Sequence, residues 1–202
     1  MSDVTFNPAL MTQPQNSFIL QTNNRWIQGL TKDDWVSRGW LRSGILTGTV
    51  SLWGGIGVAV NTPSSSGNNR NRTGDQIAPA TTTQLNGFMV YDQGINAIQT
   101  PGSQVPTFPV GFNVPYYIFG SNARIPVPLA SGVLTSLEGA DISGTFYWDT
   151  ANYNLTLTSS STTIALPASV RVLEVSDNCR MVLNTSGVLS WSDPSDAALI
   201  VI

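Results

Sequence analysis

Charged side chains are scarce in this chain, and that scarcity limits the folds open to it. Asp, Glu, Lys and Arg make up 10% of the 202 residues, against roughly 25% in an ordinary soluble domain. Only Glu138, Glu174 and Lys32 represent glutamate and lysine, so few residues suit the solvent side of a helix. Thr, Ser, Asn, Gly and Pro replace them, and these favour strands and turns. The sequence therefore predicts an all-β protein: an extended N-terminal arm plus an antiparallel β-barrel or sandwich, with long irregular loops.

The low charge content also indicates assembly. A free monomer normally stays soluble through abundant charges of both signs, and this chain has few of them together with six tryptophans. We therefore expect other subunits to cover much of its surface. The composition leaves one alternative open, a neutral extracellular β protein.

The pattern along the chain predicts three regions. Residues 1–43 form an extended arm that ends in a Trp-rich anchor. Residues 44–120 are β-rich, with a long polar loop at 61–83 and a proline-rich connector at 100–115, where the prolines disfavour a central strand. Residues 121–202 form a small β-barrel or sandwich domain.

The last region reads as a regular series of short strands. The prolines of residues 124–129 place that strand at a sheet edge, and Asp149–Asn152 predicts a hairpin turn. The apolar residues at 197–202 would be a sticky edge if left exposed, so we expect this strand to be paired. The other predicted strands are 132–137, 141–149, 153–158, 170–175, 179–183 and 188–191.

Two aromatic clusters are candidates for partner contact, because tryptophan and tyrosine are favoured as anchors at protein interfaces. For the tryptophans, a small core under a loop is the equally acceptable interpretation. The candidate contact residues are Trp26, Trp35, Trp40, Tyr116, Tyr117 and Phe119.

The residue types needed for common catalytic sites are missing or separated. The chain has no histidine, which excludes Ser-His-Asp and Cys-His arrangements and His-ligated zinc. Cys179 is the single cysteine and is interpreted as a small buried hydrophobe. The acid pairs fit helix starts and turns: they are Asp33-Asp34, Glu138/Asp141 and Asp193/Asp196. We predict no enzyme activity and no catalytic, cofactor-binding or metal site.

Nucleic acid and membranes are not expected partners. The net charge is −3, which gives no electrostatic attraction to phosphate. Residues 44–60 are the one membrane candidate, but 17 residues with five glycines fit buried strands better than a span. The N-terminus lacks the basic start and apolar stretch of a signal peptide. We therefore expect synthesis in a cytoplasm.

Parts of the sequence resemble the head decoration proteins, or cement proteins, of tailed bacteriophages. The similar stretches are RIPVPLASGVLTSLEGADISGTFYWDTANYNLTL (124–157) and VRVLEVSDNCRMVLNTSGVLSWSDPSDAALIVI (170–202). The Trp148-Asp149 hairpin, the strand at Cys179–Leu183, Gly187, Trp191 and the apolar terminal strand occur in the order found in that family. LWGGIGVAV (52–60) is similar to the N-terminal part of the decoration proteins of large myophages.

The resemblance implies a virion protein on the outer surface of the capsid, made in the cytoplasm of the host bacterium. Its partners would be the major capsid protein and further copies of itself, as a dimer or trimer, and it would stabilise contacts between capsid subunits. A tail, baseplate or fibre component of a phage particle is the alternative within the same class. A secreted carbohydrate-active enzyme or lectin that uses exposed Trp and Asp is the alternative from another class.

Overall fold

The computed structural model describes residues 26–31, 38–62, 75–91, 107–180 and 194–202. Strands predominate in these ranges, and the two helices described there are a 3₁₀ helix at Arg38–Trp40 and α1 at Leu134–Leu137. The all-β prediction is confirmed. In chain order the strands are β1 (Trp26–Ile27), β2 (Arg42–Leu46), β3 (Gly57–Asn61), β4 (Asp75–Pro79), β5 (Gly87–Met89), β6 (Asn113–Ile118), β7 (Arg124–Pro128), β8 (Tyr147–Asp149), β9 (Asn154–Thr156), β10 (Thr163–Ala165), β11 (Arg171–Arg180) and β12 (Pro194–Val201).

Strands β2 to β6 close into a five-stranded barrel. Their hydrogen-bonded order is β2-β4-β3-β5-β6, and β6 returns to pair antiparallel with β2, Tyr116 lying opposite Arg42. The pair β2–β4 is parallel, whereas the other pairs are antiparallel. Closure leaves this sheet without a free edge. The buried residues of the barrel cluster are Leu46, Leu52, Trp53, Ile56, Val58, Ile77, Met89, Val114 and Tyr116.

A second sheet has the order β1-β11-β12-β7. Strand β12 pairs antiparallel with β11 on one side and β7 on the other, which confirms that the apolar C-terminal strand is paired. Strand β7 lies at the edge, as its prolines predicted. Strand β11 is continuous over ten residues, although the sequence predicted two strands separated at 177–178. A register shift between Ser176 and Cys179 absorbs the extra residue as a bulge.

The third sheet has the order β10-β8-β9 and contains the predicted hairpin. Strands β8 and β9 pair antiparallel, with Trp148 opposite Leu155. The turn between them is held by the carboxylate of Asp149, which accepts hydrogen bonds from the backbone N–H of Ala151 at 2.9 Å and of Asn152 at 3.2 Å. An aspartate that bonds to the following backbone in this way favours a turn over a continued strand.

One hydrophobic core joins the barrel to the other two sheets. Phe88 and Tyr117 enter it from the barrel, Ile125 and Ile200 from the four-stranded sheet, and Trp148 from the three-stranded sheet. All five side chains are 1% exposed or less. The regions that the sequence separates as 44–120 and 121–202 therefore share a buried interior.

The segment around β1 also ties the four-stranded sheet to the barrel. The backbone N–H of Gly29 donates to Pro126 O at 2.9 Å, and Gly29 O accepts from Tyr91 N at 2.8 Å. Gly29 has a φ of +74°, and a Cβ there would lie 2.1 Å from the backbone carbon of Gly54. Only glycine permits both the backbone conformation and the close approach.

The predicted loop at 61–83 needs a correction, because β4 lies inside it. Ile77 is the fully buried side chain of this strand, and its neighbours Gln76 and Ala78 are half-buried. A strand with a single apolar residue facing the core shows no alternating pattern. Its place in the barrel comes from parallel pairing with β2 and antiparallel pairing with β3.

Two further predictions are corrected by the described backbone. The connector at 100–115 overlaps β6, a strand paired on both sides. Pro115 is tolerated in this strand because proline lacks only the backbone N–H donor, and its carbonyl still accepts a hydrogen bond from Val90 N at 3.0 Å.

Residues 132–137, predicted as a strand, contain α1 instead. Leu134 and Leu137 pack on the main core, and their spacing places both on one helical face. The predicted strand at 188–191 lies outside the described residues.

Candidate functional site

Three of the six predicted contact aromatics are enclosed by their own chain. Trp26 is 5% exposed and clusters with Cys179 and Leu199. Tyr116 is inside the barrel and Tyr117 is in the main core. Their side chains leave almost no surface exposed in this chain. The physical reason is that these strands are covered on both faces.

The remaining three differ in their placement. Phe119 is half-buried and meets Phe88 edge to face, with ring centroids 6.1 Å apart. Trp35 lies outside the described residues. Trp40 ends the 3₁₀ helix and is 54% exposed. Among the described members of the set, Trp40 therefore has the most open aromatic face.

A second apolar surface lies where two loops meet at one end of the barrel. We call Val50, Val110 and Phe112 the barrel-end patch. Their side chains are 48%, 41% and 62% exposed. Surface exposure of single apolar residues is ordinary, but here three occur on adjoining loops.

Backbone hydrogen bonds hold these two loops together at both ends. Leu46 N donates to Phe112 O at 2.9 Å and Gly111 N donates to Leu46 O at 2.8 Å. Further along, Leu52 and Phe108 exchange both backbone hydrogen bonds, at 3.1 and 2.8 Å. Loops tied at both ends present their side chains in a fixed arrangement, which lowers the entropy lost when a partner binds.

The patch is also free of nearby charge along the chain. Residues 46–52 read LTGTVSL and residues 107–113 read TFPVGFN, with no ionisable side chain in either segment. Interfaces are depleted of charged residues at their centres. These two loops can therefore lose water on contact with a partner without burying a charge of their own.

Sequence reasoning missed the barrel-end patch. Val110 and Phe112 fall in the segment interpreted as a proline-rich connector, and Val50 falls in one interpreted as buried strand. A usable signal was present, because apolar residues next to turn formers in Pro109-Val110-Gly111-Phe112 have no core-facing periodicity. What the sequence does not reveal is that the loop at 47–51 lies beside them.

A polar contact lies between two barrel strands, where the phenol of Tyr116 donates a hydrogen bond to the carboxylate of Asp75. Burial raises the pKa of Tyr116, and the hydrogen bond and negative charge of Asp75 raise it further, while Arg42 partly opposes them. A phenol with a raised pKa stays protonated at neutral pH, so it is a poor general base. This contact joins β6 to β4 across the strand β2 that both flank, a role in closing the barrel.

The carboxylate of Asp149 is similarly engaged by its own turn. Besides the two backbone donors, it accepts from the side-chain nitrogen Nδ2 of Asn152 at 2.7 Å. Partial burial opposes ionisation, but the hydrogen bonds from Asn152 and Ala151 outweigh it and lower the pKa of Asp149. Asp141 likewise caps a turn, accepting from Ser143 N at 2.8 Å. These acids serve the backbone, which leaves few lone pairs for a ligand.

No group of three or more Cys, Asp or Glu side chains in the described ranges is arranged to hold a metal ion. No helix in the described ranges has the length and apolar character needed to cross a membrane.

Comparison with known proteins returns no relative. No protein-family model, curated protein or solved structure matches the chain.

Proposed function

We propose that this chain is a structural protein of a bacteriophage particle, a decoration subunit that binds the outer surface of the capsid. In this role its partners are the major capsid protein and further copies of itself. The barrel-end patch is the observation that carries the proposal. It is apolar, uncharged along both of its loops and held rigid by backbone hydrogen bonds.

The energetics of such contacts suit a repeated lattice. Burying one apolar side chain completely contributes about 1.5–3 kcal/mol, so the partial area of a three-residue patch gives only weak binding once association entropy is subtracted. An oligomer that engages several equivalent capsid sites at once gains avidity without any new contact. A dimer or trimer on a symmetric shell fulfils this condition.

The composition supports the same role. With 10% charged residues, the contacts available to this chain are mostly apolar and uncharged polar ones. Salt screens exposed ion pairs beyond a Debye length of about 8 Å at physiological ionic strength, whereas apolar contacts are not weakened in this way. Phage particles must persist under changing salt, and such a surface fits that requirement.

The direct test is binding to expanded capsid shells assembled without this protein, from the phage whose genome encodes it. We expect the purified chain to co-sediment with these shells and to raise their resistance to heat. Phe112→Ser should weaken co-sedimentation, because Phe112 is the most exposed member of the patch. Leu157→Ser is the matched control, since Leu157 is an apolar residue that is 38% exposed and directly follows β9, outside the two barrel loops. No binding by the unaltered chain would overturn the proposal.

Immunogold labelling of intact particles locates the protein independently of that assay. Label on the head agrees with the decoration role. Label confined to the tail or baseplate contradicts it and supports the alternative of a tail, baseplate or fibre component.

A further inference from the structure

A groove of about 340 Å³ lies between the turn after α1 and strand β11. Its lining consists of residues 137–142 and 172–175, and Val172 N donates to Ile142 O at 3.2 Å between the two segments. Two apolar side chains of the lining are exposed, Ile142 at 44% and Leu173 at 41%. The volume lies near the lower end of the range for ligand pockets, about 300–1,000 Å³, so the groove can receive one bulky side chain.

The lining of this groove is acidic as well as apolar. Three of its ten residues are acidic, Glu138, Asp141 and Glu174, and none is basic. Arg171 directly precedes the second lining segment but is not part of it. Carboxylates that line one cleft give it a negative potential, which attracts cationic groups. The groove therefore suits an occupant that combines a large apolar side chain with a basic one.

One exposed surface of this chain has that combination. Trp40 is 54% exposed at the end of the 3₁₀ helix, and the exposed residue Arg42 begins β2 two positions later. Arg38 lies two positions before Trp40. Among the large apolar side chains exposed in the described ranges, Trp40 alone has basic residues and no acid within two positions. We call Trp40 and Arg42 the basic tryptophan corner, and both residue types are enriched among those that dominate binding.

Arg42 keeps hydrogen-bond donors for a partner. Its guanidinium is in hydrogen-bonding contact with Tyr116, whose phenol donates to Asp75. An arginine carries five N–H donors in a planar fork, and this side chain is exposed. Further donors therefore remain for a carboxylate, the group with which arginine forms its strong, often bidentate hydrogen bonds.

A second copy of the chain is the occupant that these observations select. Neither Trp40 nor Arg42 lines the groove of its own chain, and the apolar side chains of both surfaces are exposed. The lining of the groove has acids without a base, and the segment around the corner has bases without an acid. Such complementary charges favour the pairing of the two surfaces and fix their orientation.

We propose that the basic tryptophan corner of one copy binds in the groove of a second copy. The indole of Trp40 covers Ile142 and Leu173, and the guanidinium of Arg42 faces the carboxylates of the groove. The contact joins two unlike surfaces, so successive copies form a closed ring or an open filament according to the rotation between them.

This inference deepens the proposed function, because it names the surface through which the subunit contacts its own copies. It is tested in solution without capsid shells. A chain that binds shells but does not self-associate would therefore contradict this inference alone, and a chain that self-associates but does not bind shells would contradict only the capsid role.

Sedimentation velocity over a range of protein concentrations tests the contact. We expect the unaltered chain to self-associate as its concentration rises. Trp40→Ser alters the corner and Glu174→Lys alters the groove, and each should weaken self-association about tenfold or more, as expected for a central interface residue. Leu157→Ser is the matched control and should associate like the unaltered chain, because Leu157 is an exposed apolar residue outside both surfaces.

Mixing the two variants tests the pairing of unlike surfaces. Each variant keeps the surface that the other lacks, so an equimolar mixture of Trp40→Ser and Glu174→Lys should form dimers through one intact contact, although neither variant associates alone. Urea midpoints equal to that of the unaltered chain show that both variants are folded. Three results would overturn the proposal: an unaltered chain that stays monomeric at every concentration, self-association that either variant retains in full, or folded variants whose mixture stays monomeric.

Discussion

The indole of Trp148 packs directly against Gly57, so that a Cβ on Gly57 would lie 2.7 Å from its Nε1 atom. The same indole meets Phe88 edge to face, with ring centroids 5.0 Å apart. Tyr153, on the turn after β8, makes a similar contact with Trp53 at 5.8 Å. Strand β3 and the β8–β9 hairpin are thus in direct contact, which packs the barrel against the three-stranded sheet.

Gly57→Ala should destabilise the protein by about 1–3 kcal/mol, the usual cost of inserting a methyl group into a packed core. The added carbon would meet both Trp148 and Leu85, the latter at 2.8 Å. The measurement is the urea midpoint followed by tryptophan fluorescence. Gly39→Ala is the control, because nothing lies within 4 Å of a Cβ at Gly39. Equal midpoints for the two variants would contradict the packing.

Tyr116→Phe should change how stability depends on pH. Burial, followed by the hydrogen bond to Asp75, raises the pKa of Tyr116. Its contribution to stability is therefore complete below the ordinary tyrosine pKa of about 10. It is lost as the pH rises further, because the unfolded phenol ionises while the folded one keeps its proton.

At neutral pH the same variant should lose about 1.5–3 kcal/mol, the range for a hydrogen bond to a charged group. The difference from the unaltered protein should shrink above pH 10. Urea unfolding at several pH values between 7 and 11 checks both expectations. Tyr147→Phe removes a phenol remote from Asp75, and this control should leave the alkaline loss intact. A constant difference at all pH values would show that the hydrogen bond has no part in the effect.

Asp149→Asn should weaken the β8–β9 turn, with an effect that depends on pH in the opposite direction. Hydrogen bonds from Asn152 and Ala151 outweigh partial burial and lower the pKa of Asp149. Its contribution is present above the ordinary aspartate pKa of about 3.9 and is lost as the pH falls through the lower folded value. We expect a loss of about 1 kcal/mol at pH 7, typical of a hydrogen bond, and little difference in strong acid. Glu138→Gln removes the same charge from an exposed turn and should cost less at pH 7.

Local signals in the sequence predicted the features that depend on neighbouring residues. The turn at Asp149–Asn152 follows from an aspartate able to bond to the next backbone N–H groups. The edge position of β7 follows from its prolines. The pairing of the apolar C-terminal strand follows from the cost of leaving it exposed. In each case the physical cause lies within a few residues of the feature.

Features that depend on pairing between strands far apart in the chain could not be predicted from the sequence. Strand β6 buries Val114, Tyr116 and Tyr117, because one of its faces lines the barrel and the other meets the C-terminal sheets. A strand covered on both faces shows no alternation of apolar and polar residues. The aromatic residues of β6 were therefore interpreted as a contact surface and not as core. The barrel-end patch was hidden for the same reason, since it forms only when residues 47–51 and 109–112 are brought together by the β2–β6 register.

Phe112→Ser should leave the stability of the folded state unchanged. Only then can a loss of shell binding by this variant be assigned to the lost contact. The side chain is 62% exposed, and surface substitutions away from special features change stability by no more than about 0.5 kcal/mol. By contrast, Val114→Ser, two residues along the chain, places a hydroxyl at a fully buried site and should cost about 1–3 kcal/mol or more. Urea midpoints of both variants check the contrast. A Phe112→Ser protein that unfolds like the unaltered chain but no longer binds shells would place the defect in the contact itself, whereas one that is as unstable as Val114→Ser would place Phe112 in the core.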